Sequence, residues 1–362
     1  MIGASHRQHR GWFPVYVLMV SGLLLVGCAR QEQPWVFQHF AMGTAIEYTI
    51  VTSRQAYAHT VVERAHREIE RIESLFSEND TTSEVYRFNH SVSGIYVSEE
   101  VSDCIRRALD YSRQTSSAFN IVMKPVLDLY GFQALMPAPP TDLMIRRALA
   151  YTDIDKLELH PGDEDRAWWL GKDDQAVAIT MGGFVKGYAV DRAIQVIRDH
   201  RIDQALINAG GDLYCLGTKK GLPWIVGIQH PREAQELLLT LALADRAVAT
   251  SGDYQRFYFY EGKRYHHLLD PATGKPSRNA WSATVVANTT EEADAWATAL
   301  FILGPDAGIR LLDAMKDVCG MVVDSSGTVH YSRGFQQFVQ ASDNHSELGN
   351  KRENSLQRNR TK

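Results

Sequence analysis

The 362-residue chain has only four cysteines, Cys28, Cys104, Cys215 and Cys319, and none are at CxxC spacing. That excludes a disulfide-built scaffold and a four-cysteine zinc module. It has no excess of positive charge: 38 Lys and Arg against 43 Asp and Glu leave a net charge of -5. No global field therefore draws it to nucleic acid. It has one long apolar run, near the start, which excludes a polytopic membrane protein. It lacks internal repeats, and neither GxGxxG nor GxxxxGK[ST] occurs at its glycine-rich segments, so Rossmann and Walker phosphate loops are not expected. What is present, 44% hydrophobic, 22% charged and 10% aromatic residues, is the composition of a globular enzyme or binding protein. At roughly 150 residues per domain the length allows one large domain or two interleaved subdomains.

The apolar run reads as a targeting signal rather than part of the fold; the alternative is an uncleaved anchor followed by an ordinary buried cysteine. Arg7 and Arg10 form a basic start without acids, Trp12 to Val26 is too short for a comfortable span, and Leu25-Val26-Gly27-Cys28 closes it with small residues. A cysteine directly after Leu-Val-Gly resembles a bacterial lipobox, in which residues 1–27 are removed and Cys28 carries the lipid. Cleavage takes away two arginines and no acid. The expected location is the periplasmic face of a membrane, as a lipid-anchored lipoprotein. Ala29 rather than Asp after the lipid site leans toward the outer membrane without excluding the inner one. The other three cysteines, an odd number, read as small buried hydrophobes.

Residues 28–34 read as a polar tether, 35–340 as the folded body and 341–362 as a disordered tail. In the body, a strand pair around Met42-Gly43-Thr44 precedes a helix over 59–76, with apolar positions Val62, Ala65, Ile69 and Ile72 at helical spacing. Helices over 101–117, 142–152, 185–200 and 291–303 alternate irregularly with strands at 177–179, 205–208, 214–216, 225–229, 237–242, 246–250, 282–287, 321–323 and 329–332. A hairpin is expected at 257–269 around Glu261-Gly262-Lys263. Without a regular βαβ beat the fold class is α+β.

Five clusters carry possible chemistry. Thr180 to Asp191 contains Gly182-Gly183 ahead of a helix whose first turn holds Lys186. Glycines allow close backbone approach, and a helix start offers free N–H groups to phosphate, although a glycine pair alone is most often a tight turn. Asn208-Ala209-Gly210-Gly211-Asp212-Leu213 reads as a Gly-Gly hairpin turn, and Ser251-Gly252-Asp253-Tyr254 as another turn. In His266-His267-Leu268-Leu269-Asp270-Pro271 the adjacent histidines point to opposite faces of a strand, so one serves as base or phosphate partner while the other faces solvent or core. In Thr289 to Ala299, Thr289 and Glu292 have capping-box spacing. Asp294 and Thr298, at i and i+4, share one helical face. A carboxylate and a hydroxyl are hard oxygen ligands suited to Mg²⁺. The alternative is a solvated Asp and a Thr bonded back to its own helix, but the flanking alanines make that face half-buried, where an unpaired Asp is costly.

Together these clusters, with Met42-Gly43-Thr44, Ala118-Phe119-Asn120, Pro125 and Tyr130-Gly131-Phe132, resemble the ApbE family, the FAD:protein FMN transferases. The matches run in order over essentially the whole body. The resemblance implies a single ApbE-type α+β domain related to the tunnelling fold, with FAD in a cleft between two subdomains. It implies Mg²⁺-dependent transfer of FMN from FAD to a Thr or Ser hydroxyl of an acceptor protein, usually a redox-pump subunit, with release of AMP. Metal ligands would be Asp294, Thr298 and a carbonyl at Gly183. Met42, Phe76, Ala118, Phe119, Asn120, Thr180, Lys186, Leu269 and Asp270 would line the FAD, and His267 would be the base. Many members carry Asp at the position of Thr180, Tyr at that of Phe76 and an acid at that of Asn120. Two other functions fit the same residues: a metal-dependent FAD pyrophosphatase, and a non-catalytic flavin-binding lipoprotein.

Overall fold

The computed structural model describes residues 31–162 and 167–340. The signal segment, Cys28 and the C-terminal tail lie outside the described residues. In chain order the first elements are β1 (Gln33–Ala41), β2 (Thr44–Thr52), α1 (Gln55–Phe76), α2 (Glu84–Asn89), β3 (Gly94–Ser98) and α3 (Glu99–Gln114). They are followed by α4 (Lys124–Tyr130), α5 (Asp142–Leu149), β4 (Leu157–Pro161), β5 (Ala167–Lys172) and α6 (Val185–Asp199). Then come β6 (Ala205–Ala209), β7 (Asp212–Leu216), β8 (Trp224–Gln229), β9 (Leu237–Leu243), β10 (Arg246–Gly252), β11 (Phe257–Tyr260) and β12 (Lys263–His266). After them come β13 (Leu269–Asp270), β14 (Lys275–Pro276), β15 (Ala280–Ala287), α7 (Thr290–Leu312), β16 (Cys319–Asp324) and β17 (Val329–Tyr331).

Eight strands form one sheet in the order β1-β2-β6-β7-β10-β15-β16-β17, every neighbouring pair antiparallel. Strand alternation sends side chains to two faces, and here both are covered. Ala247, Ala249, Ala283 and Val285 pack under α7 in the main core, while α1 covers β1 and β2 and α6 covers β6 and β7. Val248, Val286, Cys215 and Met321 point the other way and meet Trp224, Val226, Leu241 and Leu243 of the β8–β9 hairpin. That double covering explains why β15 and β16 read as apolar runs rather than alternating strands. The described cysteines are free and buried, as expected. A mixed fold built around one sheet is the α+β class the sequence indicated.

Three expectations are corrected. Residues 177–179 are extended but are not a strand of any sheet; the side chain of Asn89 pairs with the backbone of Ile179, accepting from its N–H (2.8 Å) and donating to its carbonyl (2.9 Å), in place of a neighbouring strand. Gln33 and Pro34, assigned to the tether, open β1. The last helix continues past Leu303 to Leu312, with a break at Gly304 (φ 72°) ahead of Pro305.

Candidate active site

The site lies where α6 and α7 cross above the sheet. Gly187 on α6 makes the crossing possible: a Cβ there would come within 2.3 Å of the Thr290 carbonyl oxygen. One turn on, Asp191 accepts hydrogen bonds from the backbone N–H groups of Thr290 (2.8 Å) and Glu291 (2.9 Å), filling free donors at the start of α7. Thr289 Oγ accepts from the Glu292 N–H at 3.3 Å, as the capping spacing predicted. Arg107 holds Glu291 with two 2.8 Å bonds. The start of α7 is thus fixed from α3, from α6 and from its own cap.

This fixed helix carries Asp294 and Thr298 on one face. Asp294 is 4% exposed, and its Oδ2 is buried without a hydrogen-bond partner. Lys186 Nζ lies 3.9 Å from that oxygen and pairs with Asp212, the buried first residue of β7. Burial, helped by the charge of Asp212, pushes the Asp294 carboxyl up to about 7, while Lys186 and the Gly187 N–H pull it down. Burial also raises Asp212. Burial opposes the charge of Lys186, but Asp212 and Asp294 outweigh it and hold the ammonium protonated. Asp212 takes up Lys186, so the Asp294 carboxyl, when ionised, has no close charged partner of its own in a low-dielectric pocket.

Thr298 Oγ lies 3.4 Å from Ser251 Oγ on β10. Gly183 lies against the same hydroxyl: a Cβ on it would reach Thr298 Oγ at 3.1 Å and Phe119 at 3.5 Å. Among the described residues no group of three His, Cys, Asp or Glu side chains is placed to hold a metal. The donors here are instead one carboxylate, one hydroxyl and nearby backbone at Gly183, a hard-oxygen set that suits Mg²⁺ rather than zinc. The orphaned Asp294 Oδ2 fits such an ion, since an unpaired buried carboxylate oxygen is otherwise costly.

His267 follows β12, and its Nδ1 is 3.2 Å from the Arg256 carbonyl oxygen. A carbonyl only accepts, so Nδ1 carries the proton and Nε2 keeps its lone pair. Burial and the Arg256 charge push the ring down to about 3, so it is neutral at physiological pH. His266 faces the opposite way, 3% exposed, with Nε2 3.0 Å from the Ser277 carbonyl and its ring edge-on to Phe301. The alternation of the two histidines is as the sequence indicated.

The remaining expected residues take unequal roles. Met42 adopts φ 51° in the β1–β2 turn. The adjoining Thr44 packs against Gly210, bringing two of the sequence clusters together. Phe76 and Tyr188 meet edge to face, and Ala118 and Phe119 are buried. Asn120 spends its amide on backbone, donating to the Thr152 carbonyl (2.9 Å) and accepting from the Val122 N–H (2.7 Å). Asp270 likewise binds its own turn, accepting from the Ala272 N–H (2.9 Å) and the Thr273 hydroxyl (3.1 Å), while Leu269 is buried beside Val126 and Tyr130. Thr180 donates to Glu78 Oε1 at 2.6 Å, and Lys124 sits 3.0 Å from the other Glu78 oxygen. The carboxylate absent from position 180 is therefore supplied beside it by Glu78, which sequence reasoning missed. Asp191 and Asp212 were inside the quoted clusters, but their partners lie far along the chain and no local signal shows them.

The ApbE family model matches residues 42–322. A FAD:protein FMN transferase of Klebsiella pneumoniae is 31% identical over 273 residues, covering 74% of this chain and 84% of that protein. One from Treponema pallidum is 27% identical over 344 residues, covering 91% and 95%. The crystal structure of an ApbE protein from Thermotoga maritima superposes with a TM-score of 0.78 at 31% identity, covering 85% of this chain and 100% of that one. The flavin transferase ApbE from Vibrio cholerae gives 0.73 at 25% identity, covering 85% and 99%.

Proposed function

The chain belongs to the ApbE family, and on that premise we propose that it is a transferase moving FMN from FAD onto a Thr or Ser hydroxyl of an acceptor protein, with AMP released. The observation that carries this reading is the buried, unpartnered Oδ2 of Asp294 beside Thr298 and Gly183. A carrier that only binds flavin has no need of an uncompensated carboxylate under its ligand.

Asp294, Thr298 and the backbone at Gly183 would hold Mg²⁺, which when bound neutralises pyrophosphate charge and polarises the phosphorus. The other parts belong to the chain. The Met42 turn, backed by the buried rings of Phe76 and Phe119, supplies apolar surface for FAD, and Glu78 with Thr180 supplies a hydrogen-bonding edge. Lys186, held by Asp212, brings a positive charge to the phosphates while remaining fixed. His267, with its proton on Nδ1, offers Nε2 to the acceptor hydroxyl, whose own pKa is too high for efficient attack without a base. The hydroxyl oxygen bonds to the riboflavin-side phosphorus, the P–O bond to AMP breaks, and the proton passes to His267, whose ring is by itself a weak base and would be made a stronger one by the negative phosphates of bound FAD.

Purified protein incubated with FAD, Mg²⁺ and a threonine-bearing acceptor domain tests this. Flavin fluorescence attached to the acceptor, with one AMP per flavin, is expected. AMP with free FMN and no labelled acceptor would identify a pyrophosphatase instead, and neither product would leave only a flavin-binding role. The lipobox-like segment ending at Cys28 supports a position for the enzyme on the periplasmic face of a membrane, held by a lipid.

A further inference from the structure

The β11–β12 hairpin has two unlike faces. Tyr258 and Tyr265 are opposite each other and stack at 5.5 Å, facing inward toward Tyr130 and Phe132. By alternation Phe257, Phe259, Arg264 and His266 occupy the other face. There Phe259 is 62% exposed and Phe257 39%. The Arg264 guanidinium lies over both rings, at 4.6 Å and 5.5 Å.

This face borders a cavity of about 400 Å³ on which Arg232, Arg264 and Arg278 converge. Asp253 sets two of them in place: Arg232 pairs with it at 2.7 and 2.8 Å, and Arg264 at 3.2 Å. Arg232 also stacks on Trp281 at 4.2 Å. Among the described residues no carboxylate pairs with Arg278. Three guanidiniums against one carboxylate make this a positive patch on a chain whose net charge is -5. Arginine and exposed aromatics together are the composition of interface hot spots.

We infer that this face docks the acceptor protein, which presents an acidic side chain to the Arg232–Arg264–Arg278 cavity. The inference rests on the transferase reading above. Charge complementarity calls for an acidic partner, and continuity with the site favours the acceptor. Ser251 touches Thr298 in the active site, and Asp253, two residues further along, orders the arginines. His267 serves the site, and His266 next to it lines the cavity. Patch and site are two sides of the same segments.

Titrating acetyl-tetraglutamate amide into the full-length protein by calorimetry tests the docking chemistry without any turnover. Wild type is expected to bind it saturably, Arg278→Glu about tenfold more weakly, and acetyl-tetraglutamine amide not at all. In the transfer assay Arg278→Glu should raise KM for the acceptor about tenfold, leaving KM for FAD and kcat unchanged. Changing acidic residues beside the acceptor's target hydroxyl to Lys should restore part of that loss. No binding by wild type, equal binding by Arg278→Glu, or an unchanged acceptor KM overturns the proposal. So does inorganic phosphate displacing the peptide with higher affinity, which marks a small-oxyanion site. Dimerisation that Phe259→Ser abolishes also overturns it, marking contact between copies of this chain. If wild type transfers no flavin at all, the transferase reading has failed, and the peptide titration still decides the docking.

Discussion

At the scale of single residues the chemistry turns on two groups that burial has made atypical. Asp294 is a carboxylate without an adequate partner, which is destabilising unless something positive joins it. Asp294→Ala should therefore abolish AMP release while leaving the melting temperature equal or higher, since the substitution removes an uncompensated buried charge. Normal turnover by that variant would remove Asp294 from the site. His267 is neutral with its proton fixed on Nδ1 by the Arg256 carbonyl. His267→Ala should lower transfer by on the order of 10²–10⁴, the usual worth of a general base, with little change in FAD affinity. His266→Ala acts through a different property. Its ring is buried against Phe301 and bonded to Ser277, so the loss should appear as about 1–3 kcal/mol of stability and a mild change in rate. Side-by-side turnover, FAD binding and melting curves separate the two. A wild-type rate in His267→Ala would place the base elsewhere.

At the scale of elements, the site exists because α6 and α7 are locked together. Asp191→Ala leaves the Thr290 and Glu291 N–H groups without their acceptor and should cost about 1–2 kcal/mol, as lost helix caps do. Gly187→Ala drives a methyl into the Thr290 carbonyl and should part the helices. Both variants should lose stability and AMP release together; full activity in a destabilised Asp191→Ala would mean that the lock does not position Asp294. Each half of this arrangement was legible in sequence, because the i, i+4 relation of Asp294 and Thr298, the Thr289 cap and the Gly-Gly start of α6 are local facts. The lock between them was not, since Asp191 and Thr290, or Lys186 and Asp212, meet only after the sheet has formed. The three-stranded sheet β3-β5-β4 also escaped: its strands are only five or six residues long and largely half-buried, too short for periodicity to mark them. The apolar Val177–Ile179 run reads as a strand, but the side chain of Asn89, not a neighbouring strand, pairs with the backbone of Ile179.

At the scale of the whole molecule, buried carboxyls tie stability to pH and to the metal. The proposed lipid anchor is a separate matter: Cys28→Ser should shift the protein from the membrane to the soluble periplasmic fraction with transfer intact, and a wild type that never sediments with membranes would refute the anchor. For the carboxyls, burial pushes Asp294 up to about 7 and Asp191 to about 6, against about 3.9 for an Asp in the unfolded chain. Between these values the folded state holds more protons than the unfolded one. Their contribution to stability is therefore greatest below about pH 4 and is lost as pH rises through the folded values. A divalent cation reverses the trend at Asp294, because it binds the ionised form: its affinity should rise about tenfold per pH unit below 7 and level off above. In melting experiments without metal, wild type should lose stability relative to Asp294→Asn as pH rises from 4 to 7, then run parallel to it. Added Mg²⁺ should raise the wild-type melting temperature more at pH 8 than at pH 6 and leave Asp294→Asn unmoved. A wild-type-minus-variant difference that stays flat from pH 4 to 7 would show that Asp294 is ionised throughout and balanced by Lys186 alone, with no charge left for a metal to answer.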